Sequence, residues 1–144
     1  MAKIDVQLIE NLWRASASSS RHVEAMLQEL MECSVPQLLV LRTLAAQPAQ
    51  EGALAASDVA RALGCSKANA GQLVNRLEER GRLKKVGGGA DGRVVALRIT
   101  PRGGEAHSRG EEQLATEAKR IFGKLDAREK QQLLALLEKV TSPS

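Results

Sequence analysis

The chain has 144 residues, 43% hydrophobic and 26% charged, a balance that suits a folded domain with a real core and excludes a disordered chain. Its formal net charge is +4, and its two cysteines, Cys33 and Cys65, are too few for a disulfide framework. No apolar run approaches the roughly 18 residues needed to cross a bilayer. MAKIDVQLIE also lacks the basic-then-apolar order of a secretory signal, so a reducing cytoplasm is the expected setting.

From about Ile4 to Met31 there is neither Pro nor Gly, and apolar residues recur at Ile4, Leu8, Leu12, Met26 and Leu30. With Ile9, Trp13, Val23, Leu27 and Met31 the stripe is too broad for one neighbour, which predicts a long helix packed on several surfaces. The stretch RASASSSRH, Arg14 to His22, is poor in large apolar groups and is read either as a kink or as a small-residue wall. Ser34-Val35-Pro36-Gln37 carries a capping box with a first-turn proline, opening a second helix through LLVL that ends before Pro48. A loop follows over 47–52, and Ala53 to Ala56 is a candidate third strand.

Ser57 is the expected cap of a short helix whose Val59, Ala60 and Leu63 point inward, and Gly64 ends it. Ser66 caps the next helix, in which Ala70, Leu73, Val74 and Leu77 form one stripe. At 100° per residue this leaves Ala68, Asn69, Gln72, Asn75 and Arg76 on the outer side. Short amides there suit the adenine edge in a DNA major groove, and Arg76 suits guanine or phosphate. Ser66, Lys67 and the helix N-terminus suit phosphate. Leu83 to Val86 and Val94 to Ile99 are strand-like runs around the tip GGGADG, a hairpin.

Charge is concentrated on this unit. Between Arg61 and Arg102 ten Lys and Arg face three acids, Glu78, Glu79 and Asp91, a local charge of +7 that leaves −3 for the rest. Such a segment is either the footprint of a polyanion or a solvated face; beside an amide-rich helix the first reading is the stronger. Lys84 would then hold phosphate, and Arg93 would reach a minor groove. The tip also matches G-x-G-x-x-G, but a β-rich run follows where a dinucleotide site needs a helix.

After Thr100-Pro101, a further cap and first-turn proline, Ala106, Gly110, Leu114, Ala118, Ile121, Phe122 and Leu125 outline a long helix. Asp126 with Glu129 caps a last one through LLALLEKV. The fold expected is mainly α with a small antiparallel β-wing: a winged helix-turn-helix lobe over 34–100, flanked by helices over 1–33 and 101–144 that pack against a second copy. No catalytic set, cofactor motif or metal-ligand cluster emerges; His22 and His107 are far apart in sequence, and the grouping of His107 with Glu105 and Glu111 is better read as a solvated helix surface.

The segments PQLLVLRTLA, SDVARALGCSKANAGQLVNRLEERGRL and ADGRVVALRITPRG resemble the MarR family of bacterial winged-helix transcription regulators. The resemblance implies a homodimer on a pseudo-palindromic operator, a repressor released by a small anionic or phenolic effector. It further implies that Asp91 braces Arg93 by an ion pair. An effector pocket would lie between the dimer helices and the lobe, with Trp13, Arg14, His22 and Arg42 as candidates. The plainer reading makes Trp13 dimer core and the charges surface, and it is preferred. Ala68, Asn69, Gly71, Gln72 and Gly92 stand where the family often carries Ser, Thr or Arg, so operator preference should differ. Two alternatives stay open: a winged-helix scaffold for protein partners, and a redox-sensing regulator acting through Cys33 or Cys65. Against the second, the family's peroxide sensors carry their cysteine early in the first helix, where this chain has none.

Overall fold

A computed structural model describes residues 2–47, 54–87 and 95–142. Six helices and two strands follow one another in these residues: α1 (Ala2–Met31), α2 (Val35–Ala46), α3 (Ala56–Leu63), α4 (Lys67–Glu79), β1 (Leu83–Val86), β2 (Ala96–Ile99), α5 (Pro101–Phe122) and α6 (Ala127–Thr141). The strands pair antiparallel, with Leu83 opposite Ile99 and Val86 opposite Ala96. This is the mainly helical winged helix-turn-helix that the sequence predicts.

Most caps act as expected. Gln37 N–H donates to Ser34 Oγ (3.2 Å) while Ser34 N–H donates to Gln37 Oε1 (3.3 Å), the reciprocal pair of a capping box. Asp126 and Glu129 cap α6 in the same way, Thr100 Oγ1 accepts the Gly103 N–H (3.1 Å) at the start of α5, and Gly64 closes α3 at φ +68°. Two expectations are corrected. α3 begins two residues early: Ala55 is its N-cap, and the Asp58 carboxylate, not Ser57, takes the free Ala55 N–H at 2.8 Å. Among the described residues the third strand is one bridge, Leu97 N–H donating to Leu54 O at 2.8 Å, because Ala55 and Ala56 already open α3; Ala53 lies outside the described residues. Between Arg14 and His22, which the sequence leaves open between a frayed or kinked section and the small-residue wall of a cleft, α1 runs on unbroken, and Ala17 and Ser18 line a groove. Ser19 donates back to Ala15 O (2.6 Å), and the small side chains simply leave that part of an unbroken α1 uncovered.

One core gathers Leu27, Leu38, Leu41, Val59, Val74, Leu77 and Leu83, all buried. It draws on the C-terminal part of α1 and the N-terminal part of α5 as well, since Val23 and Met31 of α1 and Ala106 of α5 belong to it. Two glycines of α5 permit this packing. A Cβ at Gly110 would press into Leu38, with Cδ2 at 2.7 Å, and one at Gly103 would strike the Arg82 carbonyl and lie 2.8 Å from Ile99 Cγ1.

α1 ends on Glu32, in the left-handed region at φ +49°, where glycine is the usual residue. Guanidinium groups hold that end. Arg82 donates to Met31 O (2.6 Å) and Glu32 O (3.4 Å), Arg109 donates to Leu30 O (3.1 Å), and Arg80 pairs with the Glu32 carboxylate. Cations on the last carbonyls oppose the negative end of the helix dipole. The C-termini of α1 and α4 are thereby fastened together.

The outer arms are different. Ile4, Leu8, Ile9, Leu12 and Trp13 of α1 are between 53 and 77% exposed, and α6 buries no residue at all, with Leu136 at 61% and Val140 at 74%. An exposed apolar surface this extensive has the character of an interaction surface.

Candidate nucleic-acid interface

α4 is set by its N-terminus. Ser66 Oγ accepts from Asn69 N–H (3.1 Å), which leaves the serine hydroxyl able to donate to an anion. Ala70, Val74 and Leu77 anchor the inner side of the helix in the core. Lys67, Asn69, Gln72, Asn75 and Arg76 are all exposed on the other side, and Lys84 is exposed on β1. The side chains of Asn69, Gln72 and Arg76 have no hydrogen-bond or ion-pair partner among the described residues, so their donors and acceptors are open to an external partner. Asn75 is partly committed: Lys85 Nζ donates to its Oδ1 at 2.6 Å and lies 3.5 Å from Glu78. Lys85 therefore ties the wing strand to the reading helix, a role its sequence position gave no hint of. Arg93 and its brace Asp91 lie outside the described residues, as do Gly89 and Gly92.

Gly71 stands in the middle of α4, where glycine costs about 1 kcal/mol against alanine. Nothing in the protein explains it, since an added Cβ would meet no described atom within 4 Å. We expect Gly71→Ala to raise thermal stability by about that amount and, if an external partner comes close there, to weaken DNA binding. Melting curves and anisotropy on the same variant separate the two effects; higher stability with unchanged binding removes Gly71 from the interface.

The four effector candidates are not brought into one cleft. Trp13 and Arg14 line a groove of about 520 Å³ on α1, together with Ile9 and Arg21. His22 lies nine residues on, about 13 Å along the helix. It faces Glu117 of α5 (3.4 Å), which Arg120 also holds at 3.0 Å. Arg42 is bound to Glu111 (2.7 Å), which in turn faces His107 (3.6 Å). Those glutamates brace α1 and α2 against α5, so His22 and Arg42 are occupied, whereas Arg21 is a cation beside Trp13 that sequence reasoning missed.

The two thiols differ. Cys33 is fully buried, donates to Ser34 O, and has its pKa raised, burial outweighing the nearby Arg82 charge. Because the folded state keeps that proton longer than the unfolded chain, stability contributed by the neutral thiol is complete below the unfolded value and falls as pH rises past it. N-ethylmaleimide should therefore label half-buried Cys65 in the native protein and reach Cys33 only on unfolding, read by mass spectrometry. Rapid native labelling of both would contradict this. No group of three or more His, Cys, Asp or Glu placed to hold a metal occurs among the described residues.

Residues 34–94 match the MarR family. No curated protein matches. Among solved structures, BpsR of Bordetella bronchiseptica, described for the regulation of its DNA binding by 6-hydroxynicotinic acid, is 27% identical (TM-score 0.76, covering 94% of this chain and 99% of that one). The PcaV transcriptional regulator of Streptomyces coelicolor is also 27% identical (TM-score 0.70, 91% and 92%). The fold is likewise that of the MarR-family protein Rv2887 of Mycobacterium tuberculosis, solved in complex with DNA (24% identity, TM-score 0.71, 94% and 98%). The winged lobe thus matches the MarR family in sequence, and the fold over nearly all of the chain is similar to that of BpsR, PcaV and the MarR-family protein Rv2887.

Proposed function

We propose that the chain is a homodimeric, sequence-specific double-stranded DNA-binding transcription regulator, a repressor of a pseudo-palindromic operator released by a small anionic or phenolic effector. It works in the cytoplasm, without enzymatic activity or cofactor. Residues 34–100 form the DNA-binding lobe, and 1–33 with 101–144 form the dimerisation region. The observation that carries this reading is the outer face of α4, where Asn69, Gln72 and Arg76 stand exposed and unpartnered beside a basic strand. In this reading Asn69, Gln72 and Arg76 address base edges, with Asn75 contributing its free amide nitrogen. Ser66, Lys67 and Lys84 hold phosphate, and Arg93, braced by Asp91, enters the minor groove. The effector would sit against Trp13, Arg14 and Arg21, its carboxylate or phenolate on the arginines, in a groove that the second copy closes. The match of residues 34–94 to the MarR family and the regulation of BpsR by 6-hydroxynicotinic acid support a small acid as the effector.

The test is binding to the DNA upstream of the chain's own gene, titrated with salt. Specific binding with a steep salt slope is expected; a shallow slope without sequence preference overturns the proposal. Gln72→Ala should relax preference at one operator position at a cost of about 1–3 kcal/mol. Lys84→Ala should weaken all sequences alike and lower the salt slope by about one. Identical behaviour of the two variants means that α4 has been given the wrong reading face.

A further inference from the structure

A cleft of about 310 Å³ opens along the edge of α4, between the reading face and the ends of α2 and α3. Its wall is apolar: Leu39 of α2, Leu63 of α3, Cys65 of the turn and Leu73 of α4. Leu63, Cys65 and Leu73 lean on the core and are half-buried, while Leu39 is 37% exposed. Its rim is the set of unpartnered groups Asn69, Gln72 and Arg76. No carboxylate lines it, and its one charge is positive. The cleft is formed by the winged lobe alone, away from the outer arms of α1 and α6, so it is not part of the apolar surface those helices leave uncovered.

The surface so described asks for an apolar group carried by a polyanion and presented beside hydrogen-bonding edges. In a B-DNA major groove one base edge answers to that, thymine, whose C5-methyl is the apolar element among donors and acceptors. We propose that this cleft reads thymine methyl groups, so that the operator half-site carries thymine beside the bases addressed by Asn69, Gln72 and Arg76. The volume exceeds what one methyl fills, which suits the edges of two successive thymines on one strand. This rests on the reading of α4 given above and adds to it the chemical identity of the neighbouring bases. Leu39, Leu63, Cys65 and Leu73 become specificity-determining residues, acting by excluding water from the methyl groups and not by hydrogen bonding.

Deoxyuridine in place of thymidine removes only the methyl and leaves every hydrogen bond intact. The experiment first selects the preferred operator from a random duplex pool, then replaces its thymidines one at a time and measures binding to the full-length chain by anisotropy. Loss of about four-fold per buried methyl is expected, at one or two adjacent positions in each half-site and nowhere else. In Cys65→Ser or Leu39→Asn the thymine-to-uracil ratio at those positions should fall toward one. The ratio is independent of how much of a variant is folded, so a partly unfolded sample does not blur it. Equal affinity for thymine and uracil throughout, on a duplex that is still bound specifically, overturns this inference and leaves the regulator reading standing. A ratio unchanged in both variants overturns it as well. Selection that yields no preferred sequence overturns the regulator reading itself.

Discussion

Replacing Leu136 and Val140 together by glutamate will give a monomer that folds normally and binds its operator at least about a hundredfold more weakly, through loss of the second linked half-site. Both side chains are already solvent-exposed within one protomer, so the change disturbs no intramolecular packing. In the proposed dimer they meet the equally exposed arm of α1, where two carboxylates per copy would be buried among apolar side chains at a large desolvation cost. Sedimentation velocity gives the oligomeric state, circular dichroism the fold, and anisotropy the affinity. A variant that stays dimeric, with unchanged affinity, shows that α6 is not the interface.

Alanine at Gly103, Gly104 and Gly110 will have opposite effects within two turns of one helix. Gly104 has open space around its missing Cβ, so Gly104→Ala adds about 1 kcal/mol of helix propensity. Gly110→Ala presses on Leu38, which is fully buried and has no free direction in which to swing, at a cost of about 1–3 kcal/mol. Gly103→Ala is worse, at or above the top of that range, because its obstacle is backbone. The Arg82 carbonyl it strikes accepts the Thr100 N–H (3.2 Å) just before β1, and displacing it opens the foot of the wing. Urea denaturation orders the three variants; a Gly103→Ala as stable as the parent contradicts this packing.

Those glycines also show what the sequence could and could not convey. Gly103 looks like a weak point in a helix start, and only the approach of β1 explains why no larger residue serves. Periodicity located every helix, because Val59, Val74 and Leu77 are spaced as a buried stripe must be. It placed Asn69, Gln72 and Arg76 on the outer face for the same reason. Tertiary pairings were not legible. Lys85 on Asn75, or Arg80 and Arg82 on the end of α1, join residues many positions apart whose charges alone read as solvated surface. Leu39 was hidden differently, in the run LLVL, where one outward leucine cannot be told from its buried neighbours without knowing which side faces α5. His22 and Arg42 appeared as available cations, and the glutamates that occupy them lie on a helix about 70 to 95 residues further along.

The unbroken α1 has a mechanical consequence. Its thirty residues make a rod about 45 Å long, with one end embedded in the lobe's core and the other in the arm. A rod without a hinge turns any wedge at one end into displacement at the other. A tilt of about 5° at the arm swings the far end by about 4 Å, more than the spacing of one base pair. In the proposed dimer the two lobes would sit one helical turn apart on the operator, so a ligand no larger than a single ring wedged beside Trp13 would be enough to take both α4 helices out of register.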